Sequence, residues 1–290
     1  RLGIERYSGQ LSGAELSTGI GPDTRIGASY LRSSSALAPE EESGSGFVDA
    51  DPLAALGVQT VALPLYFEYA QTNGSVREWW KLRHGAGVPH ALVASSGLVW
   101  RRIGLAAEWK DYRDFRKGTN DPPSLVREQS YVLLNRNTHV LDAGHESGYQ
   151  LEATAGLTDA LTATANMSRA DGASLNHYRE SFFELRLAPA GTRAYEGSVF
   201  YDQGEDRVSA LVDSRVYGAT AGVRFPSGWS GHVDLEHQRG NQTHGVLPAT
   251  GFEDSYGALV VARADLGSVA LAWDRTSDPL VRSVFQGGGK

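Results

Sequence analysis

The sequence predicts an all-β chain: an antiparallel, up-and-down transmembrane β-barrel of about 14 or more strands, in which short turns alternate with long loops. Three observations predict it. Apolar and polar residues alternate one by one through most segments, the period of a strand with one greasy and one wet face. Turn signals recur at intervals of roughly 32–41 residues with one exception, which fits two strands of about ten residues, a tight turn and a longer loop. No run approaches the eighteen or so apolar residues of a membrane-spanning helix, and a barrel needs none, because only alternate residues meet lipid.

In chain order, Gly21-Pro22-Asp23 closes the first hairpin. Residues 33–55 read as a long polar loop, since they hold Glu40-Glu41-Glu42 and Ser43-Gly44-Ser45-Gly46. A turn at Ala62-Leu63-Pro64 and a loop over 71–89 follow, the loop carrying Trp79-Trp80 and room for a short helix over 76–82. The third turn is placed at Leu98-Val99-Trp100, where the turn chemistry is poorest. The alternation is clearest around Leu157-Thr158-Asp159. Before that turn Tyr149, Leu151, Ala153 and Ala155 share one face, and Gln150, Glu152 and Thr154 the other. After it Leu161, Ala163, Ala165 and Met167 oppose Thr162, Thr164, Asn166 and Ser168. Turns at Pro189-Ala190-Gly191, Pro226-Ser227-Gly228 and Asp265-Leu266-Gly267 punctuate the remainder, with a polar loop over 239–253.

Composition narrows the function classes. The 290 residues show no shift that would mark a second domain, so 1–290 reads as a single β-barrel domain. The net charge of −7 argues against nucleic acid as a partner. Cysteine is absent, which removes disulfides and thiolate metal sites. Arg1 opens no signal peptide, and the end Gln286-Gly287-Gly288-Gly289-Lys290 is Gly-rich and lacks a terminal aromatic strand, so the chain is expected to be part of a longer one.

The two faces carry different chemistry. Leu161, Ala163, Ala165, Phe183, Leu185, Leu187, Val223, Phe225, Val233 and Leu235 form the expected lipid-facing set. Tyr30, Tyr69, Trp109, Tyr149, Tyr201, Tyr256 and Trp273 stand near the long-loop ends of strands, and Trp100, Phe225 and Trp229 near short turns. Amphipathic rings at both strand ends suit membrane interfaces, although aromatics favour strands anywhere. Glu68, Glu108, Lys110, Glu152, Glu180, Glu184, Arg186, Arg224, His232, Asp234, Glu236 and Arg263 are placed opposite the apolar sets, as lumen-lining residues of a barrel or as the solvent face of a soluble sandwich.

No catalytic motif is present: no Gly-x-Ser-x-Gly elbow, phosphate loop or dinucleotide fingerprint. The chain is therefore read as a non-enzyme without cofactor or metal. His232, Asp234 and Glu236 alternate on one strand, and residues two apart on a face stand roughly 7 Å apart, which suits a polar row better than a metal centre. His139, His145, His237 and His244 have no recognised ligand spacing.

The exceptional interval, of 59 residues, contains a long insertion between strands over 111–147. Connections beyond about 15 residues are usually functional or disordered. The apolar run Tyr131-Val132-Leu133-Leu134 argues for order. Arg113, Arg116, Arg127 and Arg136 supply planar donors for carboxylates. Together with Glu128, Asn135, Asn137 and His139 they form the candidate plug, gate or partner surface.

Three stretches of this region, Lys110-Asp111-Tyr112-Arg113, Pro122-Pro123-Ser124-Leu125-Val126-Arg127-Glu128 and Leu133-Leu134-Asn135-Arg136-Asn137-Thr138-His139, resemble motifs of a family of predicted outer-membrane β-barrels of uncharacterised function from diderm bacteria. The resemblance is specific over Trp109 to Leu151 and elsewhere is one of strand rhythm only. It implies a barrel in the bacterial outer membrane and no particular activity. The expected partners are the lipid bilayer of the outer membrane and, for an anchoring role, other envelope proteins. The functional expectation is passive solute passage or anchoring of an envelope assembly. The alternative is a soluble all-β carbohydrate-binding or polysaccharide-active domain.

Overall fold

The structure, a computed structural model, describes residues 9–21, 23–35, 38–58, 60–72, 89–115, 130–137, 145–172, 177–189, 195–243 and 248–277. It is all-β. Among the described residues, fifteen strands lie in an antiparallel sheet whose order follows the sequence. They are β1 Gly9–Gly19, β2 Thr24–Ser35, β3 Ala38–Ala50, β4 Val61–Ala62, β5 Leu65–Thr72, β6 His90–Trp100, β7 Ile103–Arg113, β8 His145–Gly156, β9 Leu161–Gly172, β10 His177–Leu187, β11 Tyr195–Asp206, β12 Leu211–Arg224, β13 Trp229–Gln242, β14 Thr250–Arg263 and β15 Gly267–Thr276. The short β4 is off the main path and pairs with β6. The path of paired strands begins at β1 and ends at β15 among the described residues. One helical turn, α1 Pro52–Ala55, is capped by Asp51, whose carboxylate accepts from the Leu53 and Ala54 amides. No described helix is long and apolar enough to cross a membrane, which says nothing of strands.

Described contacts cluster into two compact units: residues 9–101, 106–115 and 145–149, and residues 102–105, 130–137 and 150–277. In the first, β1 to β6 form a meander in register from Gly9↔Ser35 to Gln71↔His90. In the second, β9 to β15 do the same with long ladders, such as Trp229↔Arg263 to Gln242↔Thr250 between β13 and β14.

Several expected boundaries move. Residues 33–55 are not a loop: most of them belong to β2 and β3. From Glu42 on, the positions of β3 that share the face of Ile26 and Ala28 are Glu42, Gly44, Gly46, Val48 and Ala50, so Val48 alone carries a large apolar side chain that would have betrayed a strand. Pairing on both sides supplies what the side chains do not, with a Ser29–Ser45 hydroxyl bond at 2.8 Å and a Tyr30 to Glu42 bond at 3.0 Å. The turn placed at Val99 lies at Arg101-Arg102, since β6 runs through Trp100, and Arg101 takes a left-handed φ of 54°. The loop over 239–253 shrinks to the residues between Gln242 and Thr250. The insertion is likewise narrower than 111–147, because β7 continues to Arg113 and β8 starts at His145. The turns at Thr158, Ser227 and Leu266 fall between strands as expected. Ala190 and Gly191, the tryptophan pair and the helix expected over 76–82 lie outside the described residues.

Candidate functional site

The burial pattern is inverted relative to a water-soluble domain. Large apolar side chains stand exposed on one face of each unit: Leu16, Phe67 and Trp109 in the first, Leu105, Phe183, Val199 at 52% and Leu235 at 48% in the second. Buried residues on the opposite face are largely polar: Thr164, Asn166, Ser168, Asp202 at 4%, Ser214, Glu236 at 4% and Gln238. Strand alternation alone produces the separation, because each apolar row is one residue out of step with its polar neighbours.

In the first unit the polar face holds Glu68, which accepts from the Tyr66 hydroxyl at 2.6 Å, and Lys110, which is ion-paired with Glu146. Both members of that pair are buried. The Lys110 ammonium also lies 5.5 Å from the centre of the Tyr112 ring. Tyr112 packs with Ala91 and Phe115 in a small apolar cluster beside the pair. A buried charge needs such a partner, since desolvation would otherwise exceed any gain. Glu108 shares the alternating face of Lys110 and is exposed. Arg113 ends β7, largely exposed, 3.6 Å from Asp111.

The second unit contains the more developed site. Residues 130–137 lie across the polar face of β10 to β14. Tyr131 donates to the Glu184 carboxylate and shares a 2.9 Å bond with the Ser198 hydroxyl. Its ring stacks on Phe200, centroids 3.6 Å apart. Leu133 is fully buried in a cluster with Phe182, Phe200 and Val216, against which Leu134 and Tyr256 also pack. The Glu236 carboxylate receives two backbone amides, Val132 N–H at 2.8 Å and Leu133 N–H at 2.7 Å. The chain then turns through a short 3-10 helix, Leu134–Asn137. There Arg136 reaches Asp254 at 3.3 Å and pairs with Asp274. Burial first, and then the bond to Glu184, raise the Tyr131 phenol above the ordinary tyrosine range.

The alternation places Glu152, Glu180, Glu184, Arg186, Arg224, His232, Asp234 and Glu236 on the polar face. Of these, Glu184 and Glu236 are brought together by the docked segment, and Glu180 accepts from Tyr178 at 2.7 Å. Arg263 is a correction. It is the cross-strand partner of Trp229 on the apolar face. Its guanidinium stacks over the Trp229 ring at 5.5 Å and pairs with Asp265 at 2.8 Å. Arg263 shares the parity of Leu259 and Val261, and its stem follows the apolar surface to a charged head at the turn. Tyr256 is a second correction: it faces the polar side and packs on the Phe200 cluster, not in an interfacial ring. Asn135, Arg136 and Asn137 sit in the docked segment, while Arg116, Arg127, Glu128 and His139 lie outside the described residues.

Sequence reasoning missed Phe182, Phe200 and Val216 as site residues. The signal was there: Phe182-Phe183 and Phe200-Tyr201 are consecutive aromatics, and on a strand one of each pair must point to the wet side. Glu146, Asp254 and Asp274 carried no local signal, since their partners are distant in sequence. Among the described residues no group of three or more His, Cys, Asp or Glu is disposed to hold a metal ion.

No family model matches the chain, so the resemblance over Trp109 to Leu151 has no such match behind it. No curated protein matches it either. Among solved structures it is similar to a chain described as a bacterial polysaccharide outer membrane secretin. The TM-score is 0.33 and the identity 12%, over 92% of this chain and 90% of that one. A likeness at that score carries no argument about function.

Proposed function

We propose that the chain is an outer-membrane β-barrel for passage of small solutes, with its interior narrowed by its own residues 131–136. The observation that carries this reading is the inverted burial: an apolar face exposed around Val199 and Leu235, a polar face buried around Asp202 and Glu236. Such a face is unfavourable in water at this extent and is what lipid requires. Closure into a barrel would satisfy the strand edges that lipid cannot. The polar face then becomes the interior, and the docked segment stands within it as a restriction. Glu152, Glu180, Glu184, Asp234 and Glu236 outnumber Arg186 and Arg224 on that face, so a conducting interior favours cations.

Purified protein reconstituted in planar bilayers tests this. Expected are extraction only with detergent, small cation-selective conductance, and larger conductance when residues 118–137 are deleted. Recovery of the folded chain in the aqueous phase without detergent would overturn the membrane reading and leave the soluble carbohydrate-binding alternative. Membrane insertion without conductance, even in the deletion, would assign the chain to anchoring instead.

A further inference from the structure

At the loop end of β12 and β13 the apolar face stops at a pair of arginines. Arg215 and Arg239 are direct cross-strand partners. Neither guanidinium has a partner among the described residues, and the Arg215 Nε is buried without one. Like charges placed directly opposite each other destabilise a strand pair unless something bridges them.

The pair's position along the strands is specific. Two residues further on lie Tyr217 and His237, also cross-strand partners, whose rings are 5.2 Å apart. From there the same face continues through Ala219, Leu235, Ala221 and Val233 to Phe225 and Trp229 at the turn. From Tyr217 to Phe225 a strand advances about 27 Å at ~3.4 Å per residue. At the usual tilt this approaches the ~25 Å apolar band of a membrane barrel. The arginines therefore stand one step beyond that band, at the depth of lipid headgroups.

A pocket of about 530 Å³ opens at this place, lined by Asp213, Arg215, Arg239, Asn241, Glu253 and Ser277 among others. That volume is within the range of small-ligand sites. Two carboxylates and two guanidiniums line it; Glu253 is the cross-strand partner of Arg239 on its other side, yet no ion pair within 4 Å joins any of the four among the described residues. The pocket is thus neutral overall but carries two unbridged positive and two unbridged negative groups. Gly251 leaves it open: a β-carbon there would meet Asn241 Oδ1 at 3.6 Å and the Gly240 carbonyl at 3.9 Å, ordinary contacts.

We propose that this pocket binds a membrane lipid headgroup bearing both a phosphate and a primary ammonium, the phosphate between Arg215 and Arg239 and the ammonium at Asp213 and Glu253. The proposal rests on the membrane reading above. Guanidinium groups hold phosphate oxygens through paired N–H donors. A primary ammonium donates to carboxylates, which a quaternary ammonium cannot do.

The test is native mass spectrometry of the full chain released from phosphatidylcholine nanodiscs carrying a minor fraction of phosphatidylethanolamine or of phosphatidylglycerol. Phosphatidylethanolamine is expected to be retained about tenfold or more over either other lipid, a difference of about 1.4 kcal/mol. The double variant R215Q/R239Q should lose retention to background. The double variant D213N/E253Q should keep phosphate binding but lose the preference over phosphatidylcholine. Gly251→Leu, which fills the pocket without altering charge, should abolish retention while the protein still inserts. Equal retention of the three lipids by the inserted wild-type chain, or retention unaffected by R215Q/R239Q, overturns the proposal alone. Displacement of the lipid by free phosphoethanolamine at similar concentration would show a soluble ligand's site and also overturn it. A chain that never enters the nanodiscs overturns the membrane reading and the proposal with it.

Discussion

Replacing Glu236 by glutamine should loosen residues 131–136 from the polar face without unfolding the sheet. The wild-type carboxylate receives the Val132 and Leu133 amides at 2.8 and 2.7 Å, one on each oxygen. Glutamine keeps one acceptor and sets its amide donors against the other N–H. One charge-assisted bond is then lost and its amide left unpaired, while the survivor loses its charge. Hydrogen bonds to charged groups contribute about 1.5–3 kcal/mol each. Removing a buried carboxylate relieves its desolvation and offsets part of that loss, so the net effect is about 1–3 kcal/mol. At about 1.4 kcal/mol per tenfold, undocking becomes roughly 5- to 150-fold more frequent. Hydrogen exchange resolved to single amides reads this directly. Val132 and Leu133 should lose protection by that factor in Glu236→Gln, while ladder amides such as that of Leu259 keep theirs. Leu133→Ala should loosen the same two amides, because truncating a fully buried leucine costs about 2–5 kcal/mol. Unchanged protection at Val132 and Leu133 in both variants would refute the docking geometry.

Two further outcomes follow from the face assignment and from Tyr131. Val233, mid-strand on the apolar face between Ala221 and Leu259, should not tolerate arginine. Unfolding titrations in lipid should show a loss of about 2–4 kcal/mol for Val233→Arg, against about 0.5 kcal/mol or less for arginine at its exposed polar-face neighbour His232; equal losses would mean the faces are exchanged. Thr164, which alternation alone marks as tolerant, is buried opposite Glu184 and is a poorer control. Because folding raises the Tyr131 phenol, its contribution is fully present below the unfolded value of ~10 and is lost only as pH climbs beyond that toward the folded value. Phenolate absorbance of wild type minus Tyr131→Phe should therefore show no ionisation at the pH where exposed tyrosines titrate, and titration together with them would refute the buried contact.

What was legible in the sequence follows from what a period of two can encode. A strand's two faces are written in its own residues, so the assignments around Leu151, Phe183 and Leu235 needed no partner to be read. Positions where a neighbouring strand does the work were not legible. β3 carries glycines outward and is held by its ladders, so its composition looks like a loop. The turn after Trp100 uses an arginine in the left-handed region, where glycine or asparagine would have announced it. Arg263 looked like a wet-face residue because it is charged, yet parity with Leu259 and Val261 already placed it with the apolar row beside Trp229. The doubled aromatics at Phe182-Phe183 and Phe200-Tyr201 had a consequence beyond strand assignment. If Phe183 and Tyr201 face outward, Phe182 and Phe200 must lie on the polar side. An apolar patch on a polar face requires a cover. In the same chain one apolar run, Tyr131-Val132-Leu133-Leu134, stood in an insertion with no strand to join. Patch and run are complementary in kind, and the structure stacks Tyr131 on Phe200 and buries Leu133 beside Val216. Turn spacing marked the insertion and charge suggested that it docks, as Arg136 does on Asp254 and Asp274; the two apolar features, pointing at each other across the sequence, locate where on the polar face it docks.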